Sequence, residues 1–145
     1  MPKVSLSDYR ALAAFRYEIR KFLAFSEQAA RDAGLEPQQH QVLLAVQGLP
    51  ADVRPTISAV AERLCVQHHT TVALVDKLEA RGYIERERSQ LDRREVLLRL
   101  TDTGMATLST LSELHRRQLK SAGPQMVSAL AAIVGVKPKR SSAAK

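Results

Sequence analysis

The segment from residue 57 to residue 100 constrains the fold of this chain more than any other part. It reads ISAVAERLCVQHHTTVALVDKLEARGYIERERSQLDRREVLLRL. Apolar residues recur at helical spacing in two short stretches separated by a turn, and then occupy two extended stretches joined by a charged loop. This order predicts a winged helix-turn-helix, a fold that holds its second helix against a DNA groove.

The helix-turn-helix pair occupies the first half of this segment. Ser58 can cap the first helix, and Cys65 with Val66 forms the turn. The second helix is predicted to begin near Gln67 and to end at Gly82, because glycine commonly stops a helix. Its buried side is predicted from apolar residues at helical spacing: Val72, Leu74, Val75 and Leu78.

A β-hairpin is predicted after the second helix. Ile84 lies at the start of a strand that continues to Arg88, and residues 95–100 form the return strand. The loop at residues 89–93 is polar and typical of a turn. This hairpin is the predicted wing.

Long helices are predicted on both sides of this lobe. Residues 5–34 carry an apolar stripe at three- and four-residue spacing, and residues 38–47 form a shorter helix. The first helix would be about 40 Å long, more than a small domain covers alone, so we expect part of it to pack against another subunit. Residues 101–135 are predicted to be helical, with a break at Gly123 and Pro124.

The net charge of +7 fits a polyanionic partner, but its distribution weakens this indication. Four Lys and Arg residues lie in the segment 136–145, which contains no acidic residue. This tail is predicted to be disordered. A tail that only aids solubility explains the charge as well as a nucleic-acid partner does.

Several function classes find no support in the sequence. There is no run of eighteen apolar residues and no apolar region near the N-terminus, so neither a membrane partner nor secretion is expected. A single Cys fits a reducing cytoplasm. Neither a Gly-rich phosphate loop nor an H-E-x-x-H motif is present, so we expect no enzyme activity and no cofactor. One cytoplasmic, mainly helical domain of 145 residues is predicted.

The run AERLCVQHHTTVALVDKLEARGYIERERSQLDRREVLLRLTDTG closely resembles the multiple-antibiotic-resistance-regulator (MarR) family of bacterial transcription factors. Its most specific parts are LVDKLEARGYI, the D-x-R motif at Asp92 and Arg94, and LRLTDTG. The flanking helices match the family's arrangement, so the resemblance covers nearly the whole chain. It implies a mainly α fold with a small β-hairpin wing, and a homodimer. Residues 5–34 and 101–135 would then be dimerisation helices, and residues 38–100 the DNA-binding lobe.

Two positions depart from the family's pattern. Cys65 stands in the turn where glycine is common, which suggests a different turn conformation. Ala73 stands where many members carry a basic residue, which removes one possible DNA contact. The peroxide-sensing branch uses a Cys in its first helix, and this chain has none there. We therefore interpret Cys65 as a small buried residue rather than a redox switch.

The predicted DNA contacts come from the start of the second helix and from the wing. The N-terminal half of a recognition helix points into the major groove, where Gln, His and Thr can meet base edges. Arg side chains on a wing favour narrow minor grooves. The residues predicted to bind DNA are Gln67, His68, His69, Thr70, Thr71, Lys77, Arg86, Arg88, Arg93 and Arg94.

Some of these residues also have a purely structural interpretation. One of His68 and His69 can be a packing or capping residue. The sequence ERER can be a solvent-facing strand edge in which Arg86 and Arg88 form internal ion pairs. The resemblance implies that Asp92 pairs with a nearby Arg and orients the wing loop.

The favoured interpretation is a regulator, most often a repressor, that binds a pseudo-palindromic DNA site as a homodimer. In relatives, small aromatic or phenolic effectors bind between the dimerisation and DNA-binding regions, and Tyr17 and His40 are candidates for such a site. A metal site of His40, Glu113 and His115, as in zinc-sensing relatives, is the alternative, but an assignment without metal is preferred. The competing class is a winged-helix protein-interaction adaptor without specific DNA binding.

Overall fold

The computed structural model describes residues 2–137, and the chain in this range is mainly helical with one β-hairpin. Its elements are α1 (Leu6–Asp32), α2 (Pro37–Gln47), α3 (Ile57–Leu64), α4 (His68–Ala80), β1 (Ile84–Arg88), β2 (Val96–Leu100) and α5 (Asp102–Val134). This order confirms the predicted winged helix-turn-helix with helical extensions. Residues 138–145 of the predicted basic tail lie outside the described residues. No helix in the described range has both the length and the apolar character to cross a membrane.

Short-range hydrogen bonds set the starts of the helices. At α1, the Asp8 carboxylate accepts the backbone N–H of Ser5 at 2.8 Å, and Ser5 Oγ accepts the backbone N–H of Asp8 at 3.1 Å. The backbone hydrogen bond from Ser5, followed by that from its hydroxyl, lowers the pKa of Asp8. At α3 the capping residue is Thr56, whose Oγ1 accepts the backbone N–H of Ala59 at 3.1 Å. The predicted Ser58 cap is wrong, because Ser58 already lies in the first helical turn.

The chain divides into two compact units, one of residues 27–113 and one of the described residues before 27 and after 113. The unit 27–113 contains the winged helix-turn-helix and one continuous apolar core. Its largest fully buried apolar side chains are Leu43, Leu78, Ile84, Leu111, Val42, Val60 and Val75. The buried side of α4 consists of Thr71, Leu74, Val75 and Leu78, whereas Val72, predicted to lie there, is only half-buried.

The wing packs against the rest of the lobe through β2. β1 and β2 pair antiparallel, with Ile84 opposite Leu100 and Arg88 opposite Val96. Leu98 in β2 is buried, and its backbone N–H donates to the Pro55 carbonyl at 2.7 Å. The connector between α2 and α3 therefore lies against the hairpin, which fixes the base of the wing.

The predicted break in the last helix is wrong. α5 runs without interruption from Asp102 to Val134, with Pro124 in its interior. A proline there removes one backbone hydrogen bond and crowds a carbonyl of the preceding turn, at a cost of about 3 kcal/mol. The flanking sequences KSAG and QMVSALAA contain mostly residues that favour helix, which explains how the helix tolerates this cost.

The other unit combines the N-terminal part of α1 with the C-terminal part of α5. The His115 ring lies edge-on to Phe22 and Phe25, with centroid distances of 6.0 and 5.5 Å, and its Nε2 is 2.8 Å from Ser26 Oγ. Many large apolar side chains of this unit are exposed, among them Leu6, Tyr9, Leu12, Val127, Leu130 and Val134. Exposed apolar surface of this kind is typical of an interaction site.

Gly104 lies in the first turn of α5, close to the backbone of Tyr83, the residue before β1. A Cβ at this position would overlap the backbone oxygen of Tyr83, which already accepts the backbone N–H of Thr101 at 3.1 Å. We expect Gly104→Ala to lower the free energy of unfolding by about 1–3 kcal/mol, because the backbone must shift to admit the methyl group. Urea unfolding followed by circular dichroism measures this change.

The matched control is Gly123→Ala in the same helix, where a Cβ meets no atom within 4 Å. This substitution should leave stability unchanged or raise it by up to about 1 kcal/mol, because alanine favours helix over glycine. Equal stability of Gly104→Ala and the unmodified protein would contradict the close packing of α5 on Tyr83.

Candidate nucleic-acid interface

The turn between α3 and α4 depends on the backbone of Cys65. Its φ is 55°, and it is the one non-glycine residue with positive φ in the described range. Its N–H donates to the Glu62 carbonyl at 3.1 Å and so ends α3. The thiol is exposed, so the interpretation of Cys65 as a buried residue is wrong. Glycine adopts positive φ without strain, which explains why glycine suits this turn.

The start of α4 is open to solvent. Gln67 precedes the helix in an extended conformation, and its side chain forms no capping hydrogen bond. Gln67, His68 and His69 are exposed, and Thr70 is half-buried. The free backbone N–H groups and the positive end of the helix dipole at such a terminus favour a phosphate group.

Thr71 was predicted to bind DNA, and the structure places it in the core instead. It has no exposed surface, and its hydroxyl donates to the Gln67 carbonyl at 3.3 Å. A side chain in the core cannot reach a base edge, so this prediction is wrong. The helical spacing of Thr71 with Val75 and Leu78 was the signal that could have revealed its burial.

Arg86 connects the wing to α4. Its guanidinium lies 2.6 Å from the carboxylates of both Asp76 and Glu79. Partial burial alone would lower the pKa of Arg86, but the hydrogen bonds with Asp76 and Glu79 outweigh it and raise the pKa. The internal pairing considered for Arg86 is therefore present. We assign Arg86 to holding β1 against α4 and remove it from the residues expected to reach DNA.

Arg99 neutralises the outer edge of β1, a role that sequence analysis missed. Its guanidinium lies 2.7 Å from Glu85 and 3.0 Å from Glu87. The hydrogen bond with Glu85, followed by the charge of Glu87, raises the pKa of Arg99. Cross-strand pairing places Arg99 opposite Glu85, so the register of the hairpin could have indicated this pair.

The tip of the wing carries Arg88, Arg93 and Arg94, which are all exposed. Arg88 Nη1 donates to the Arg93 carbonyl at 2.9 Å across the loop. Asp92 accepts the backbone N–H of Arg94 at 2.9 Å. Asp92 therefore orients the loop through the Arg94 backbone, whereas the resemblance implied an Arg side chain. Lys77 is exposed on α4.

One cleft brings the two predicted contact regions together. Its volume is about 460 Å³, and its lining includes His68 from the start of α4 and Arg94 from the wing loop. Its lining residues are Thr56, Ile57, Ser58, His68, Asp92, Arg94, Glu95 and Val96. A single surface thus combines a helix start with a cationic side chain, which is an arrangement suited to a nucleic-acid backbone and the groove beside it.

The two residues proposed for an effector site belong to different units. Tyr17 is exposed, with Lys21 Nζ at 4.5 Å from its ring centroid. His40 is buried in α2, where its Nδ1 lies 3.4 Å from Gln41 Nε2. Within residues 2–137 no three His, Cys, Asp or Glu side chains are grouped as metal ligands.

Comparisons with known proteins agree with this geometry. A model of the MarR family matches residues 33–95, from the end of α1 to the end of the wing loop. The HTH-type transcriptional regulator YkoM of Bacillus subtilis strain 168, described as uncharacterised, is 29% identical over 118 residues, which cover 78% of this chain and 73% of YkoM. The lobe that carries the cleft is therefore similar to the MarR family.

Solved structures of transcriptional regulators have a fold similar to that of this chain. The transcriptional repressor CouR, solved on a 23-mer DNA duplex, is similar with a TM-score of 0.64 and 27% identity, covering 92% of this chain and 97% of CouR. AbsC, a MarR-family transcriptional regulator from Streptomyces coelicolor, has the same fold with a TM-score of 0.69 and 17% identity, covering 84% and 82% of the two chains. The relatives YkoM, CouR and AbsC are all described as transcriptional regulators or repressors.

Proposed function

We propose that this protein is a cytoplasmic MarR-family repressor that binds a pseudo-palindromic operator as a homodimer. The observation that carries this proposal is the cleft that is lined both by His68, at the exposed start of α4, and by Arg94 of the wing. A recognition helix in the major groove and a wing on the adjacent minor groove would use these two sides together.

The proposed contacts with DNA are of two kinds: recognition of bases and attraction to the phosphate backbone. Gln67, His68, His69 and Thr70 supply hydrogen-bond donors and acceptors at the start of α4, where they meet base edges. The cationic side chains supply attraction to phosphate and to the minor groove. These are Lys77, Arg88, Arg93 and Arg94.

A homodimer explains the apolar surface of the unit that contains the ends of α1 and α5. Leu12, Val127 and Leu130 are each exposed by 45% or more in one chain, and a second copy would cover them. Two-fold symmetry then predicts two half-sites whose centres are about 10 bp apart.

Release by a small aromatic or phenolic effector is part of the same proposal. An effector can weaken DNA binding only if it binds one dimer shape more tightly than the other. Tyr17 and His40 are the candidate residues. The test is a screen of small aromatic acids for release of the operator from the purified protein, with Tyr17→Ala as the variant that should release less.

The experiment that tests DNA binding is selection from a pool of random duplexes by the purified full-length chain. We expect enrichment of inverted repeats with half-sites about 10 bp apart. Enrichment of no sequence would contradict the proposal and would favour the protein-interaction adaptor instead.

Arg94→Ala tests the role of the wing. We expect operator affinity to fall by about 1–3 kcal/mol, because the substitution removes an exposed cation from the cleft that the start of α4 also lines. Fluorescence anisotropy with a labelled operator measures the loss, and circular dichroism verifies the fold.

The matched control for Arg94→Ala is Arg31→Ala, which removes an exposed arginine from the last turn of α1. Arg31→Ala should bind the operator as the unmodified protein does. Unchanged affinity of Arg94→Ala would remove the wing from the proposed interface.

A further inference from the structure

Arg54 connects the two ends of the wing loop to the connector between α2 and α3. Its Nη1 lies 2.7 Å from Glu95 Oε1, and its Nη2 donates to Ser89 Oγ at 3.1 Å. Ser89 directly follows β1, and Glu95 directly precedes β2. One guanidinium therefore holds both ends of the loop that carries Asp92 and Arg94.

Ser89 is the point from which this loop is organised. It is buried, with 4% of its surface exposed, and its Oγ also accepts the backbone N–H groups of Leu91 at 3.2 Å and Asp92 at 3.3 Å. Its own N–H donates to the Glu95 carbonyl at 2.9 Å. Since Asp92 then accepts the Arg94 N–H, a continuous series of hydrogen bonds runs from Arg54 to the backbone of Arg94.

We propose that Arg54 is a positioning residue for DNA recognition, which orders the wing loop so that Arg94 is presented in the cleft that His68 also lines. This inference rests on the proposed function. Ordering a loop before binding lowers the entropy that binding has to overcome. Arg54 forms one charge-assisted hydrogen bond, to Ser89, and such bonds are stronger than neutral ones. The ion pair with Glu95 is partly exposed, so its effect comes through loop order rather than through its own strength.

A direct contact of Arg54 with phosphate is the competing explanation, because 42% of its side chain is exposed. Glu95→Gln separates the two explanations. This substitution removes a negative charge from the lobe, so a direct phosphate contact predicts equal or tighter DNA binding. A positioning role of Arg54 predicts weaker DNA binding, because Arg54 loses its charged partner at the end of the wing loop.

The binding experiment uses the full-length protein and the operator obtained by selection. Arg54→Gln, Glu95→Gln and Ser89→Ala are each expected to weaken binding about fivefold, the range of partly exposed charge-assisted interactions. In an Arg94→Ala background each should add less than about twofold, because substitutions that remove one shared function are not additive. The charge-matched control Arg31→Gln should have no effect in either background.

A second measurement needs no DNA. Amide hydrogen exchange should be about tenfold faster in Arg54→Gln at Leu91, Asp92 and Arg94, because their N–H groups depend on this network. Exchange at Val75 and Leu78 in the core of α4 should not change. A merely stabilising role of Arg54 would instead speed exchange throughout the unit.

The positioning role would be overturned if amide exchange in the wing loop of Arg54→Gln equalled that of the unmodified protein. It would also be overturned if Glu95→Gln bound the operator at least as tightly as the unmodified protein. Full additivity of the losses in affinity with that of Arg94→Ala would overturn it as well. If the unmodified protein selects no DNA site, the proposed function fails and the recognition role fails with it. If the unmodified protein selects a DNA site but the effects of the variants are fully additive with that of Arg94→Ala, only the proposed role of Arg54 fails.

Discussion

Raising the salt concentration from 50 to 200 mM is expected to weaken operator binding by about 10³- to 10⁴-fold. Each phosphate that a protein neutralises on duplex DNA contributes about −0.9 to the slope of log affinity against log salt, because condensed counterions are released. The exposed cations of α4 and the wing that carry no acidic partner in the described range are Lys77, Arg88, Arg93 and Arg94. Two copies contacting six to eight phosphates give a slope of about −5 to −7.

The ion pairs of the lobe determine which cationic side chains are available to neutralise phosphates and so contribute to this slope. Arg86 is held by Asp76 and Glu79, and Arg99 by Glu85 and Glu87. These guanidinium groups are already paired, so their substitution should change the slope little. The net charge of +7 is therefore a poor guide to the number of phosphates bound.

Fluorescence anisotropy at a series of salt concentrations measures the slope. Arg94→Ala should reduce its magnitude by about 2 per dimer, one for each subunit, whereas Arg99→Gln is the control that should leave it nearly unchanged. A slope close to zero would mean that the protein neutralises no phosphates, and binding in a DNA groove would be contradicted.

The parts of the fold with regular spacing could be predicted from the sequence. The burial of Val75 and Leu78 follows from their helical spacing, and the strand from Ile84 to Arg88 follows from a short extended run after a glycine stop. Thr71 and Pro124 were placed wrongly for a common reason. Threonine is usually exposed and proline usually ends a helix, but packing of the whole chain outweighs these preferences here. Thr71 is in the core and Pro124 lies inside α5.

The polar network of the wing could not be predicted in the same way. Arg54 and Ser89 are 35 residues apart in the chain, and no local pattern relates them. The alternation ERER left open whether Arg86 faces DNA or carboxylates, and the structure shows Asp76 and Glu79 as its partners. The exposed start of α4 was predicted because the helix-turn-helix pattern itself fixes which end of the helix is free.

The double substitution Val127→Glu and Leu130→Glu in α5 is expected to convert the proposed dimer into monomers. Both side chains are exposed in one chain, by 54% and 45%, so carboxylates there cost the monomer little. In a dimer interface the same carboxylates would be buried without partners, which costs several kcal/mol. Operator binding should then weaken by about 10²- to 10⁴-fold, because the second half-site is no longer bound by a linked lobe.

Light scattering measures the first of these effects as a fall in mass from twice 16.0 kDa to 16.0 kDa. The matched control is Val53→Glu with Leu44→Glu, at positions exposed by 37% and 44% in the other unit, which should remain dimeric. If the α5 variant stays dimeric, the apolar surface of α1 and α5 is not the dimer interface. If it becomes monomeric and still binds the operator with full affinity, the two half-sites are not recognised together, and a symmetric operator is no longer required.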